Sequence, residues 1–223
     1  MRYTDRYVVH AADAISRATS GPVVPVAAAV VQCGIAFGPV SMLVAGDAAL
    51  MSGATDRAEI ASIIEVYAHS PGMAAVREAF PVLDPCSESV GESLLRYALH
   101  LLGRPVETQY RPAQGARRCD MRLLGTPLIL EFDGMAKFTA DRSLTTMGAT
   151  RAAVSSAVTS VFERDEELGA QGLHVMHVTW HQLLDADGTL RTAALDRRIR
   201  TRLAAIAAAP TLEPTARAGS VSS

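Results

Sequence analysis

Lysine is almost missing from this sequence: Lys137 is the single lysine among 21 basic residues, and the others are arginine. Aromatic residues are scarce too, at 5%, so small aliphatics, chiefly alanine, must fill any core. Cysteine is limited to Cys33, Cys86 and Cys119, far apart and with no CxxC pair. That spacing argues against a disulfide framework or a structural zinc site and points to a reducing cytoplasm. No apolar run reaches the ~20 residues that span a bilayer. The most apolar stretch, 23–51, is broken by Pro25, Gln32, Gly34, Gly38, Pro39 and Asp47. The first residues carry Asp5, Arg6 and Asp13 with no apolar h-region, so no signal peptide is legible and a soluble protein is expected. A net charge of −2 excludes a global polycation, and a nucleic-acid partner would need a local basic patch. Glycine-rich phosphate loops, Ser-His-Asp arrangements, dinucleotide fingerprints and internal repeats are all absent from the sequence.

What remains is a chain of 223 residues, 49% apolar, which suits one domain or one domain with a small companion. Residues 1–83 read as a small, mostly helical accessory region. A short strand at 7–9 precedes a helix over 11–18 and a buried helix over 26–37, stopped by Gly38-Pro39. A short apolar segment at 42–44 and a helical turn at 47–51 follow. An amphipathic helix capped by Thr55 spans 57–68, and a last helix spans 73–80. Residues 81–87 have the composition of a linker.

Residues 84–208 read differently. Ser89 and Glu92 form a capping box, opening a helix with Leu94, Leu95, Ala98, Leu101 and Leu102 at helical spacing. A strand over 106–111 comes next, then two strands over 117–123 and 127–133. A long helix over 149–168 follows, with Val154, Val158, Val161 and Phe162 as its buried stripe. A strand over 173–179, a helical turn over 180–184 and a final helix to about 208 complete the order α-β-β-β-α-β-α. The expected fold is α/β: a mixed four-stranded sheet flanked by helices, with the last strand reached through a crossover and parallel to its neighbour. The small, polar tail over 209–223 is predicted to be disordered.

The stretch Arg117 to Gly134, RRCDMRLLGTPLILEFDG, carries the chemistry. It predicts a β-hairpin turning at Gly125-Thr126, in which opposed residues have numbers summing to about 251. Alternation puts Leu128, Leu130 and Phe132 on one face and Ile129, Glu131 and Asp133 on the other. Asp120 then lies opposite Glu131, with Asp133 one pleat along. Three carboxylates so placed repel one another. A hard divalent cation relieves that repulsion; the bland alternative is a solvated face neutralised by Arg118 and Arg122.

Other polar groups admit two readings each. Glu92 serves the capping box or approaches the acids. Arg164 faces the site or caps the end of a helix whose residues 163–167 form a charged run. His174 and His177 stand three apart on a strand and so point to opposite faces, which argues against a zinc site shared with His181. Trp180 is expected to be a core anchor. Arg191, Arg197, Arg198, Arg200 and Arg202 form a basic strip that contacts phosphates or simply faces solvent.

The blocks Ser87-Glu88-Ser89…Glu92…Leu95-Arg96, Gln109, Cys119-Asp120, Leu130-Glu131-Phe132-Asp133-Gly134 and Phe162-Glu163-Arg164-Asp165-Glu166-Glu167-Leu168…Gly172…His177-Val178-Thr179-Trp180 keep a characteristic order. Over residues 84–207 they resemble the PD-(D/E)XK restriction-endonuclease-like superfamily, and within it a domain family allied to very-short-patch repair endonucleases. Residues 1–80 are similar to the inner part of the N-terminal region of AbiEi abortive-infection antitoxins, with no winged helix before it. The resemblance implies a restriction-endonuclease-like fold and a hydrolase of DNA phosphodiesters using Mg²⁺ or Mn²⁺, in repair or phage defence. Asp120 and Glu131 would hold the metal, with Asp133 as a third ligand or a support. Glu92 would approach from the first helix, and Gln109 and Arg164 would contact substrate. The chain departs from the pattern at Asp133, where the superfamily has lysine, and in lacking the histidine after Asp-Gly; Lys137 stands nearby to stabilise the transition state. A homodimer and a cognate toxin or defence partner are further expectations. The competing expectation is a non-catalytic antitoxin-like or transcriptional regulator that keeps the fold for binding.

Overall fold

The structure, a computed structural model, describes residues 2–3, 8–9, 23–113, 118–134 and 147–209, with only the backbone course for 2–3, 8–9 and 147–158. Strands β1 (Arg2–Tyr3) and β2 (Val8–Val9) pair antiparallel. The helix predicted over 11–18, Arg117, Lys137 and the tail from 210 lie outside the described residues.

Helix α1 (Val26–Phe37) ends at Gly38 as predicted. The segment after it is one continuous helix, α2 (Pro39–Met51), rather than two short pieces. Pro39 occupies its first turn, where a missing N–H costs nothing. Helix α3 (Arg57–Val66) is capped by Asp56, whose carboxylate accepts the Glu59 N–H at 2.8 Å, and not by Thr55. Thr55 instead donates its hydroxyl to the Glu59 carboxylate at 2.7 Å. Helix α4 (Met73–Ala79) runs into a 3-10 turn (Phe80–Val82).

Helix α5 (Val90–Leu101) is the hinge of the architecture, because both of its sides are covered. Residues 91–99 are all buried. Tyr97 joins the core of α1–α4, with Val31, Met42, Leu43, Ile60 and Val76. Leu94, Leu95, Ala98 and Leu99 join the core of the sheet, with Met121, Leu128, Leu130, Leu195 and Ile199. Each such leucine, fully buried, is worth about 1.5–3 kcal/mol of transfer free energy.

The sheet has the order β3 (Val106–Tyr110), β4 (Cys119–Leu123), β5 (Leu128–Asp133), β6 (His174–Thr179). The first three strands are antiparallel, and β6 is parallel to β5 from Leu128↔His174 to Asp133↔Thr179. The mixed four-stranded sheet flanked by helices is therefore present. Met121 pairs with Leu130 and Arg122 with Ile129, the predicted register. The tight turn is centred one residue earlier than expected, with Gly125 at φ +74° and Thr126 N–H donating to Leu123 carbonyl at 3.2 Å. The register survives because residues 124–127 form a four-residue loop symmetrical about the predicted centre. Leu128, Leu130 and Phe132 face the α5 side, while Ile129 faces Leu168 of α6 (Met147–Ala170).

One expectation about the outer helices fails: Val161 and Phe162 on α6 are exposed, at 40% and 66%. Val154 and Val158 lie outside the described side chains, and among the described ones of this helix Leu168 is buried. Short helix α7 (Trp180–Leu183) leads to α8 (Thr192–Ala208). Of the strip's arginines, Arg191, Arg197, Arg200 and Arg202 are exposed and Arg198 is half-buried, which agrees with the solvent-facing reading. Arg198 and Arg202 donate to the His177 and Val175 carbonyls at 3.2 Å, covering the outer edge of β6. Arg200 pairs with Asp196, and Arg191 with Asp185. Covering an edge strand removes a template for unwanted pairing. Trp180 packs edge-to-face on Phe132, with ring centroids 4.8 Å apart, as a core anchor.

Candidate functional site

The site is built where the β4–β5 ladder ends. Past the Met121↔Leu130 pair the strands part, and side chains take the free backbone groups. Asp120 accepts the Phe132 N–H at 2.8 Å, and Glu131 accepts the Asp120 N–H at 3.3 Å. The two carboxylates are thus neighbours across the hairpin.

Glu131 is 6% exposed. Burial, and after it the charge of Asp120, push its acid up from the ordinary 4.5 to about 7; the Arg164 guanidinium opposes the shift. A carboxylate losing solvation beside a like charge holds its proton more tightly.

Glu92 enters from the first turn of α5. Its backbone N–H donates to Ser89 Oγ at 3.2 Å, the expected half of the capping box. The reciprocal half differs: Oε1 accepts the Ser89 hydroxyl at 2.8 Å, and Oε2 accepts the Glu88 N–H at 2.9 Å. Oε2 also accepts Gln109 Nε2 at 3.2 Å. Glu92 titrates above its usual range, through burial first, with the Asp120 charge contributing. The capping role of Glu92 is therefore filled, and its carboxylate also feels the charge of Asp120.

Gln109, on β3, has φ +52°, a left-handed conformation for a residue with a Cβ. Such backbone costs roughly 1–2 kcal/mol and persists where the surroundings hold it. Here Gln109 Nε2 donates to the Cys86 carbonyl at 2.8 Å as well as to Glu92.

Arg164 belongs to the site. Its Nη2 donates to Glu131 Oε1 at 2.8 Å and to the Arg118 carbonyl at 2.7 Å. Arg118 itself pairs with Glu88 just before α5. The buried Cys119 thiol lies against Glu131 and Arg164 and is pushed up to about 11, chiefly by burial.

The expected trio does not converge, and Asp133 is the residue that leaves it. Its half-exposed carboxylate lies 3.1 Å from His177 Nδ1, while His177 Nε2 lies 3.1 Å from Asp165 Oδ2. Those two acids hold the imidazole protonated up to about 9, Asp133 contributing most and burial opposing. The reason is register: Glu131 pairs with His177 in the parallel ladder, so the ring stands beside the acid face and offers Asp133 a nearer cation. Reading the histidines only as zinc candidates missed this. The usable signal was a β6 histidine placed opposite Glu131 by the crossover.

Asp120 and Glu131 are two neighbouring hard oxygen donors, a chemistry that fits Mg²⁺ or Mn²⁺. Among the described residues no three His, Cys, Asp or Glu side chains form a closed metal cage. Two carboxylates completed by water are an ordinary Mg²⁺ set. No helix among the described residues is long and apolar enough to cross a membrane. No family, no curated protein and no solved structure matches this chain.

Proposed function

We propose that this chain is a metal-dependent, restriction-endonuclease-like protein that acts on DNA phosphodiesters. One observation carries the reading. Glu92 and Gln109, from α5 and β3, form one hydrogen-bonded pair, Asp120 and Glu131, from β4 and β5, form another, and the charge of Asp120 acts on both Glu92 and Glu131. In this reading Asp120 and Glu131 hold Mg²⁺ or Mn²⁺, which supplies an activated water and neutralises charge developing on phosphate. Glu92 and Gln109 fix the rim on the α5 side. Arg164 contacts the phosphate, and Lys137 supplies a second cation for the transition state.

A second reading, a non-catalytic regulator that keeps the fold for binding, is favoured by a different observation. Protein cations already sit on the acids: Arg164 on Glu131 and His177 on Asp133.

Plasmid and single-stranded DNA incubated with Mn²⁺ or Mg²⁺, using wild type and Asp120→Asn, separate the two. Cutting by wild type that is lost in the variant supports the nuclease. DNA retention without cutting, together with no metal-dependent rise in Tm, supports the regulator.

A further inference from the structure

Helix α2 lies far from Glu92 in sequence, yet a relay of hydrogen bonds through Asp84, Cys86 and Gln109 joins them. Asp47, 1% exposed on α2, pairs with Arg96 and accepts the Ser93 hydroxyl at 2.6 Å; Ser93 follows Glu92 directly on α5. Asp47 Oδ1 also accepts the Asp84 N–H at 2.8 Å. The Asp84 carboxylate then uses both oxygens. Oδ1 accepts the Cys86 N–H at 2.8 Å, closing an Asx turn, and Oδ2 accepts the Thr108 hydroxyl at 2.7 Å. The turn aims the Cys86 carbonyl at Gln109, whose side-chain amide spans from it to Glu92. Thr108 is the β3 neighbour of Gln109, so Asp84 fixes both the backbone before the left-handed residue and the acceptor of its side chain.

We propose that Asp84, held by Asp47 of the helical region, is the positioning residue that sets Gln109 and Glu92 at the carboxylate patch. The helices of residues 26–83 are then a working part of the site. This rests on the nuclease reading for its consequence in catalysis, but not for its geometry.

Asp84→Ala, Asp84→Asn and Thr108→Val in the full chain test it. Asparagine keeps an oxygen for the Asx turn and an amide for the Thr108 hydroxyl, so it is the rescuing variant. The first readout is the Gln109 side-chain amide by NMR, followed by its hydrogen exchange. Asp84→Ala is expected to collapse its distinct shifts and speed exchange by about tenfold or more, Thr108→Val to act in the same direction, and Asp84→Asn to restore the wild-type signal. The second readout is Mn²⁺-dependent cleavage, expected to fall in kcat by about tenfold in Asp84→Ala with KM little changed, as misplaced site groups produce. An unchanged Gln109 amide in Asp84→Ala, or in Thr108→Val should the alanine variant not fold, overturns the proposal. Unchanged kcat with an altered amide overturns its catalytic consequence. Should wild type show neither cleavage nor metal binding, the nuclease reading falls, and the amide signal still decides whether Asp84 positions Gln109.

Discussion

Asp47 and Glu131 are both carboxylates with almost no solvent contact, at 1% and 6% exposure, and each faces an arginine. Around Asp47 every neighbour is a donor: the Arg96 guanidinium, the Ser93 hydroxyl and the Asp84 N–H. Around Glu131 the donors include the Arg164 guanidinium, the Cys119 thiol and a longer bond from the Asp120 N–H, and the Asp120 charge pushes against it. Burial raises both acids above their ordinary range, but only for Glu131 does a like charge add to the effect. A satisfied buried ion pair ties two layers together, whereas a buried carboxylate pressed against another acid is a candidate functional group. The Asp47 pair joins the helical region to α5, and the Glu131 pair lies at the candidate site.

Substitutions sharpen that contrast. Asp47→Ala removes the nearest partner of the buried Arg96, leaving Asp84 at 3.8 Å, and should cost about 3 kcal/mol, read as a large fall in Tm or denaturant midpoint. Gly91→Ala comes next. A Cβ there would lie 1.9 Å from the Phe132 ring, so α5 and β5 must separate. Overpacking of this kind costs up to about 3 kcal/mol, and the displaced helix disturbs both networks at once.

Glu131→Gln should act in the opposite sense. With its folded value near 7 and its ordinary value at 4.5, Glu131 keeps a proton in the folded protein that the unfolded chain has lost. Wild-type stability therefore falls as pH rises from about 4.5 through 7, and the deficit is complete above 7. The glutamine variant should lose that slope and be more stable than wild type at pH 8 by on the order of 2 kcal/mol, checked by denaturation across pH. A variant less stable than wild type at pH 8 would erase the distinction between the two carboxylates. The smallest effect is expected at Phe162→Ser. With 66% of the side chain already exposed, Tm should move by no more than a change of about 0.5 kcal/mol implies.

Much of this could be read from the residues alone, and the parts that could not share a cause. The hairpin register followed from two-residue alternation and a short glycine turn, which are local rules. Helix α1 was legible for the same reason, bounded by Pro25 and Gly38. The α3 cap is Asp56 and not Thr55, and the local signal for it is Glu59, three residues on, whose N–H the Asp56 carboxylate accepts. Val161 and Phe162 have core-like spacing but are exposed, since spacing names a face without supplying a surface to cover it. Arg164 had two open readings until the crossover brought α6 over Glu131.

The sequence by itself determined helix α1, the strand order along the chain, the facing of Asp120 and Glu131 and the cap at Ser89, because each depends on residues within a few positions or across one tight turn. The tertiary structure alone decided that Asp133 would leave the acids for His177, that the arginines of α8 would cover β6, and that Asp47 would reach the site through Asp84. Those outcomes depend on contacts between residues tens of positions apart, where several partners of similar chemistry compete and packing selects among them.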